Sequence, residues 1–172
     1  LGVFKGIIDS APTITLEDAT PTRYSSFIYD SKGNQMAKLI AEDSNRVPVT
    51  MDQIPTDLAN AFVAIEDERF YDHNGIDLQG ILRAGLKGVA SGFHFSEGAS
   101  TITQQLLKNT VFTQWTSEQS MADKFERKFQ EQYLALQLEK VVDKDWILEN
   151  YLNTINLGQN TLGVQAASKR YF

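Results

Sequence analysis

The chain has 172 residues, 42% of them hydrophobic, a formal net charge of −6 and no cysteine. A chain of this size buries roughly 70% of its unfolded surface, so one compact domain with a real core is expected. Disulfides, thiol nucleophiles and thiolate metal sites are excluded, and the acidic balance argues against nonspecific binding of nucleic acid, which needs a basic face.

No run of roughly 18 apolar residues occurs, so no segment reads as membrane-spanning, and no signal peptide is visible. The chain opens abruptly at Leu1-Gly2-Val3-Phe4 and stops at Tyr171-Phe172 inside a helical pattern. It therefore reads as a fragment of a longer protein.

Residues 1–24 read as irregular, with Pro12, Pro21 and many threonines. Residues 26–40 read as a β-hairpin that turns near Lys32-Gly33-Asn34, and residues 50–55 as a connector. The chain then turns helical. Thr56 or Asp57 can cap a helix with Leu58, Phe62 and Ile65 at helical spacing, Phe62 and Ile65 facing the core. Asp77 can cap a second, with Ile81, Leu82, Leu86 and Val89, weakened by Gly80, Gly85 and Gly88.

Ser100 can cap a third helix, holding Gln104, Gln105 and Lys108. A polar loop at 110–118 follows, with Phe112 and Trp115. The fourth helix, over 119–140, carries one apolar stripe of Met121, Phe125, Phe129, Tyr133 and Leu136, and a second of Leu134, Ala135 and Leu138. A helix apolar over so much of its circumference is expected to be central. Two more helices are expected near 144–154 and 163–172. The turn-rich junction of Asn153, Asn156, Gly158, Asn160 and Gly163 reads as architecture.

Two carboxylates stand out. Glu131 shares a helix face with Arg127, Lys128, Leu134, Ala135 and Leu138. Either it is functional on a buried helix, or Arg127 and Glu131 form a surface pair contributing a few tenths of a kcal/mol. Glu66 follows Ile65 at a helix end, where desolvation and the like charges of Asp67 and Glu68 favour a base near neutral pH. The alternative is a solvated acidic helix end, which the macrodipole disfavours.

Between them, Ser100-Thr101-Ile102-Thr103-Gln104-Gln105 sets hydroxyls and backbone N–H groups at a helix start. This is a natural cradle for phosphate oxygens, and Lys108 adds a full charge one turn on. The alternative is an ordinary cap with a polar surface. With His73 and His94 as the only histidines, His73 reads as a hydrogen-bonding residue rather than a metal ligand, and Gly75 reads as a left-handed turn.

Four segments together carry a resemblance. They are Glu66-Asp67-Glu68-Arg69-Phe70-Tyr71-Asp72-His73-Asn74-Gly75-Ile76-Asp77, then Gly98-Ala99-Ser100-Thr101-Ile102-Thr103-Gln104-Gln105-Leu106-Leu107-Lys108-Asn109, then Arg127-Lys128-Phe129-Gln130-Glu131. The fourth is Ile147-Leu148-Glu149-Asn150-Tyr151-Leu152-Asn153 with Gly158 and Gly163-Val164-Gln165-Ala166-Ala167. In order and spacing the chain resembles the peptidoglycan glycosyltransferase domain of class A penicillin-binding proteins and their monofunctional relatives. Glu68 departs from the pattern, standing where relatives often carry a basic residue.

The resemblance implies a mainly α, lysozyme-like, two-lobed domain over 55–172, lacking its last segment, preceded by a membrane-proximal lead-in with a β-hairpin over 1–54. It implies inverting polymerisation of lipid II into β-1,4-linked glycan strands at the extracytoplasmic face of the bacterial cell membrane. A transmembrane helix outside this chain would provide the tether. Moenomycin is the implied inhibitor.

The implied catalytic residues are Glu66, as general base, and Glu131. Glu131 either holds cations in place or coordinates a divalent ion, Mg or Mn; no organic cofactor is implied. Substrate-binding positions are Arg69, Phe70, His73, Ser100, Thr101, Thr103, Gln104, Gln105, Lys108, Asn109, Arg127 and Lys128. Two rival readings are a lysozyme-like lytic enzyme that cleaves glycan strands and a noncatalytic module that binds lipid II.

Overall fold

The computed structural model describes residues 2–21, 26–29, 31–32, 35–39, 46–90, 99–113 and 120–172. These residues are mainly helical. The helices are α1 (Gly2–Asp9), α2 (Leu16–Ala19), α3 (Thr56–Glu66), α4 (Leu78–Ala90), α5 (Ile102–Thr110), α6 (Met121–Leu138), α7 (Lys144–Leu152) and α8 (Val164–Tyr171). Two short strands, β1 (Ser26–Tyr29) and β2 (Gln35–Leu39), pair antiparallel with Phe27 opposite Lys38.

Residues 1–24 are not uniformly irregular, because local hydrogen bonding overrides their threonines and prolines. The Thr15 hydroxyl accepts from the Asp18 N–H, and the Thr15 N–H donates to the Asp18 carboxylate at 2.7 Å, a capping box that starts α2. Two helices thus flank Pro12. α1 lies on α6, and α2 lies on α5.

α5 is the centre of the domain and packs against both α6 and α7. Ile102, Leu106 and Leu107 of α5, Leu134 and Leu138 of α6, and Ile147, Leu148 and Leu152 of α7 form the core with Phe70. Each such side chain stabilises the fold by about 1.5–3 kcal/mol on burial. The caps that set these helices are Thr101, Ser120 and Asp143, which accept from the N–H groups of Gln104, Asp123 and Trp146. The α5 cap is thus one residue beyond Ser100.

The apolar patterns of α3 and α6 meet the core differently from their spacing. Ala59 and Val63 are the buried side of α3, whereas Ile65 is 81% exposed and Leu58 also faces out. In α6 the buried side is Gln130, Glu131, Leu134, Ala135 and Leu138. Met121, Phe125 and Leu136, from the other stripe, are exposed. Apolar content alone does not say which of two stripes turns inward; here the side bearing small Ala135 permits close approach. Gly75, whose added Cβ would sit 2.8 Å from the Ala135 carbonyl, occupies that space.

Val89 and Trp115 lie outside the residues whose side chains are described. Phe112 packs against the core. After α7, Asn153 makes two hydrogen bonds with Val49, accepting from its N–H at 2.9 Å and donating to its carbonyl at 2.7 Å. This side chain fastens the segment before α3 to the end of α7. No helix among the described residues is long and apolar enough to cross a membrane.

Candidate active site

α3 ends on two adjacent carboxylates that face different media. Glu66 is exposed, and its Oε2 accepts from the Gln105 Nε2–H at 3.0 Å. Asp67 is buried. Its Oδ2 accepts from the Ile102 backbone N–H at 2.9 Å, and both its oxygens lie 2.9 Å from His73 Nε2. His73 Nδ1 accepts from the Gly75 N–H at 3.1 Å, which assigns the ring proton to Nε2 and makes His73 a donor to Asp67. The end of α3 is thereby tied to the first turn of α5, and Glu66 is held over α5.

Gly75 closes this arrangement. Its φ of +98° is open to glycine but strained for a side chain. Its carbonyl accepts from Thr101 Oγ1 at 2.8 Å and from Gln104 Nε2 at 3.0 Å. Thr101 and Gln104 are buried, and each donates one side-chain hydrogen bond to this turn.

Glu131 is fully buried, which removes the surface-pair reading. Oε1 accepts from the Arg127 guanidinium and Oε2 from Lys128 Nζ at 2.9 Å. Lys128 Nζ also donates to Ser100 Oγ at 2.8 Å, so one ammonium joins α6 to the segment leading into α5. Both Glu131 oxygens thus already face cations, a poor setting for a divalent ion. Among the described residues no group of three or more His, Asp or Glu side chains is arranged to hold a metal.

Lys108 sits half-buried on α5. Burial pushes its ammonium below its ordinary pKa, and Lys128 and Arg127 push the same way, while Glu131 and Glu66 oppose them. Lys108 therefore feels both glutamates as well as both other cations. Two carboxylates and three cations share one electrostatic neighbourhood along α5.

A polar cleft of about 340 Å³ opens beside Glu66. Arg69, Arg83, Ser100 and Thr101 help to line it. Arg69 is held against Asp77 by two hydrogen bonds of 3.2 and 2.6 Å and also contacts Glu68. The Arg69 guanidinium keeps the Asp77 carboxyl below its ordinary range, and Asp77 in turn caps α4 by accepting from the Gly80 N–H. Glu68 bridges Arg69 to Arg83, which donates to it at 2.6 Å.

Three sequence-selected residues lie elsewhere. Phe70 is fully buried, with Lys144 Nζ 4.5 Å over its ring. Thr103 is fully buried and donates to Glu139 at 2.5 Å. Asn109 lines a separate cavity of about 790 Å³ with Pro12, Arg46 and Asn160.

Sequence reasoning missed the inward role of Asp67, which reads there only as extra negative charge next to Glu66. It also missed Tyr151, a buried residue whose hydroxyl lies 3.4 Å from Gln105 Oε1. The available signal for Asp67 is its place as the helix-ending residue just before a turn that returns to the core.

A family model described as Transglycosylase matches residues 32–172. Penicillin-binding protein 1A of Clostridium novyi (strain NT) is 46% identical over 175 residues, covering 100% of this chain and 20% of the relative. The protein of the same name from Clostridium perfringens (strain 13 / Type A) is 46% identical over 169 residues, covering 96% of this chain and 24% of its own. That of Escherichia coli (strain K12) is 41% identical over 172 residues, covering 99% and 19%. The chain spans about a fifth of the length of these curated relatives. By the match of the family model over most of its length, the chain belongs to the transglycosylase family.

Proposed function

We propose that this domain is a peptidoglycan glycosyltransferase that polymerises lipid II into β-1,4-linked glycan strands and releases undecaprenyl pyrophosphate. The observation that carries the reading is the pairing of buried Glu131 with Arg127 and Lys128, with Lys128 also bonded to Ser100 at the edge of the cleft that Glu66 lines, and with Lys108 within electrostatic reach of both glutamates. A base lining a cleft whose Ser100 wall is bonded to Lys128 suits displacement of a pyrophosphate by a sugar hydroxyl.

Glu66 acts as general base. Being exposed, it can reach the 4-hydroxyl of the acceptor N-acetylglucosamine and take its proton as that oxygen attacks the anomeric carbon of the donor N-acetylmuramic acid. The displacement inverts the anomeric centre, with the acceptor hydroxyl in the place water takes in an inverting hydrolase. The leaving pyrophosphate is already a stabilised anion, so it needs neutralisation more than a proton. Lys108, Arg127 and Lys128 supply that charge, and Glu131 acts as a positioning residue that holds the last two. Because Glu131 is enclosed by cations, no step is assigned to a divalent ion there.

Gln105 and Ser100, beside Glu66 and Lys128, position substrate groups. Phe70, His73, Thr101, Thr103 and Gln104 support the site from within, and Arg69 organises the cleft wall through Asp77. Asn109, in its separate cavity, is given no role in the transfer step. Residues 55–172 form the catalytic domain, with two lysozyme-like lobes, and 1–54 its membrane-proximal lead-in. The site of action is the extracytoplasmic face of the bacterial cell membrane, with a membrane tether outside this chain. A lytic enzyme or a passive lipid II-binding module has less use for three cations beside a base.

The test is incubation of the protein with purified lipid II, with and without moenomycin, and separately with finished peptidoglycan. Moenomycin-sensitive strand growth from lipid II is expected; cleavage of finished strands without growth would replace this reading with a lytic one.

A further inference from the structure

Gln105 hydrogen-bonds Glu66, and its own orientation depends on a residue outside the cation cluster. Its Nε2–H donates to Glu66 Oε2 at 3.0 Å. Its Oε1 lies 3.4 Å from the Tyr151 hydroxyl. An ionised carboxylate only accepts hydrogen bonds, so the amide must present nitrogen to Glu66 and oxygen to Tyr151. Tyr151 must then be the donor.

The surroundings of Tyr151 keep it a donor. The residue is buried on α7, and its ring meets Phe62 of α3 edge-on at 6.3 Å between centroids. Burial raises the phenol above its ordinary pKa, and the negative charges of Glu66 and Asp67 raise it further. The hydroxyl therefore stays protonated wherever the enzyme works. At 3.4 Å the contact is long for an O–H···O hydrogen bond.

We infer that Tyr151 is a positioning residue for the transfer reaction: through Gln105 it fixes which face of the amide meets Glu66 and leaves the other Glu66 oxygen for the acceptor hydroxyl. Without the hydroxyl the amide can rotate about its terminal torsion and turn its oxygen toward the carboxylate, which repels it. The base is then misplaced while the donor-binding cations are untouched. This inference rests on the proposed role of Glu66.

The test is a double-mutant cycle in the full-length protein, with strand formation from lipid II as the assay. Tyr151→Phe is expected to lower kcat about five- to twentyfold, equivalent to one hydrogen bond of ~1–1.8 kcal/mol at tenfold per 1.36 kcal/mol. KM for lipid II and the melting temperature should move little. In a Gln105→Leu background the same change should have no further effect on kcat, because the amide through which Tyr151 acts is gone.

Equal kcat losses from Tyr151→Phe in both backgrounds, or a full-rate Tyr151→Phe enzyme, overturn the inference while leaving the Glu66 reading standing. If Tyr151→Phe destabilises the fold, kcat is taken per folded enzyme well below its melting temperature, and the relay is rejected unless it falls in the wild-type background and not in the Gln105→Leu one. A Glu66→Gln enzyme that polymerises at the wild-type rate overturns both.

Discussion

Replacing Glu131 with glutamine isolates the cost of an uncompensated charge under the cleft. The carboxylate is fully buried and accepts from two cations, of which the Arg127 side chain is 11% exposed and that of Lys128 41% exposed. Removing one partner of a buried pair costs ~3–5 kcal/mol, since the other charge stays desolvated. Glutamine still offers one acceptor, and Lys128 can turn to water, so its share falls toward that of a surface pair, ~0–1 kcal/mol. The expected loss for Glu131→Gln is therefore ~2–4 kcal/mol. At roughly 2–4 °C per kcal/mol for a domain of this size, a loss near 3 kcal/mol lowers Tm by about 6–12 °C.

Urea and thermal unfolding measure it, with lipid II polymerisation followed in parallel. Arg127→Met with Glu131→Leu removes both buried charges at similar volume and should regain most of the lost stability, while polymerisation stays low. A Glu131→Gln protein within ~0.5 kcal/mol of wild type, or a double variant less stable than the single one, would refute the account of a costly buried charge.

Glu66→Gln should abolish strand growth with stability within ~0.5 kcal/mol of wild type, as for an exposed site, and lipid II binding should survive; strand-length gels and a binding assay check both. Asp67→Ala should cost ~2–4 kcal/mol in urea unfolding, because it orphans the buried Ile102 N–H and releases His73, and Asp67→Asn should cost less. Gly75→Ala should cost at least ~2 kcal/mol from its positive φ and its collision with the Ala135 carbonyl, with soluble yield and Tm as readouts.

Lys108→Met should weaken lipid II binding yet stabilise the fold by up to ~1 kcal/mol, because burial disfavours the wild-type ammonium, a penalty discounted here for its partial exposure. The sign fixes the pH dependence. A lysine whose folded pKa is depressed destabilises the fold at neutral pH and stops doing so as pH climbs from that folded value to the unfolded 10.5. The advantage of Lys108→Met should therefore shrink on approaching pH 10.5, and a constant difference would contradict the assignment.

The helices over 102–110, 121–138 and 144–152 are legible because apolar spacing and polar caps such as Ser120 and Asp143 coincide, whereas the helix over 56–66 starts after Pro55 with no side-chain cap from Thr56 or Asp57. The side each helix buries is less legible. Ile65 and Met121 fit an apolar stripe but face out, since tertiary packing chose the stripes bearing Ala59 and Ala135. At the site, Glu131 and its two cations follow from i+3 and i+4 geometry on one helix, which sequence spacing encodes directly. The contacts of Asp67 with Ile102 and of Tyr151 with Gln105 join segments 35 and 46 positions apart. No local period records such a meeting; it exists only once α5 is docked between its neighbours.

The turn at Gly75 makes a single peptide unit common property of three distant stretches: it is braced from one side by the start of α5 and pressed on the other by the last turn of α6. Such a joint has no slack. Hybrids that exchange one stretch with a relative should therefore succeed only when the residues meeting at this joint travel together, and an insertion beside it should be far more disruptive than one of equal length in the exposed turn at 158–160.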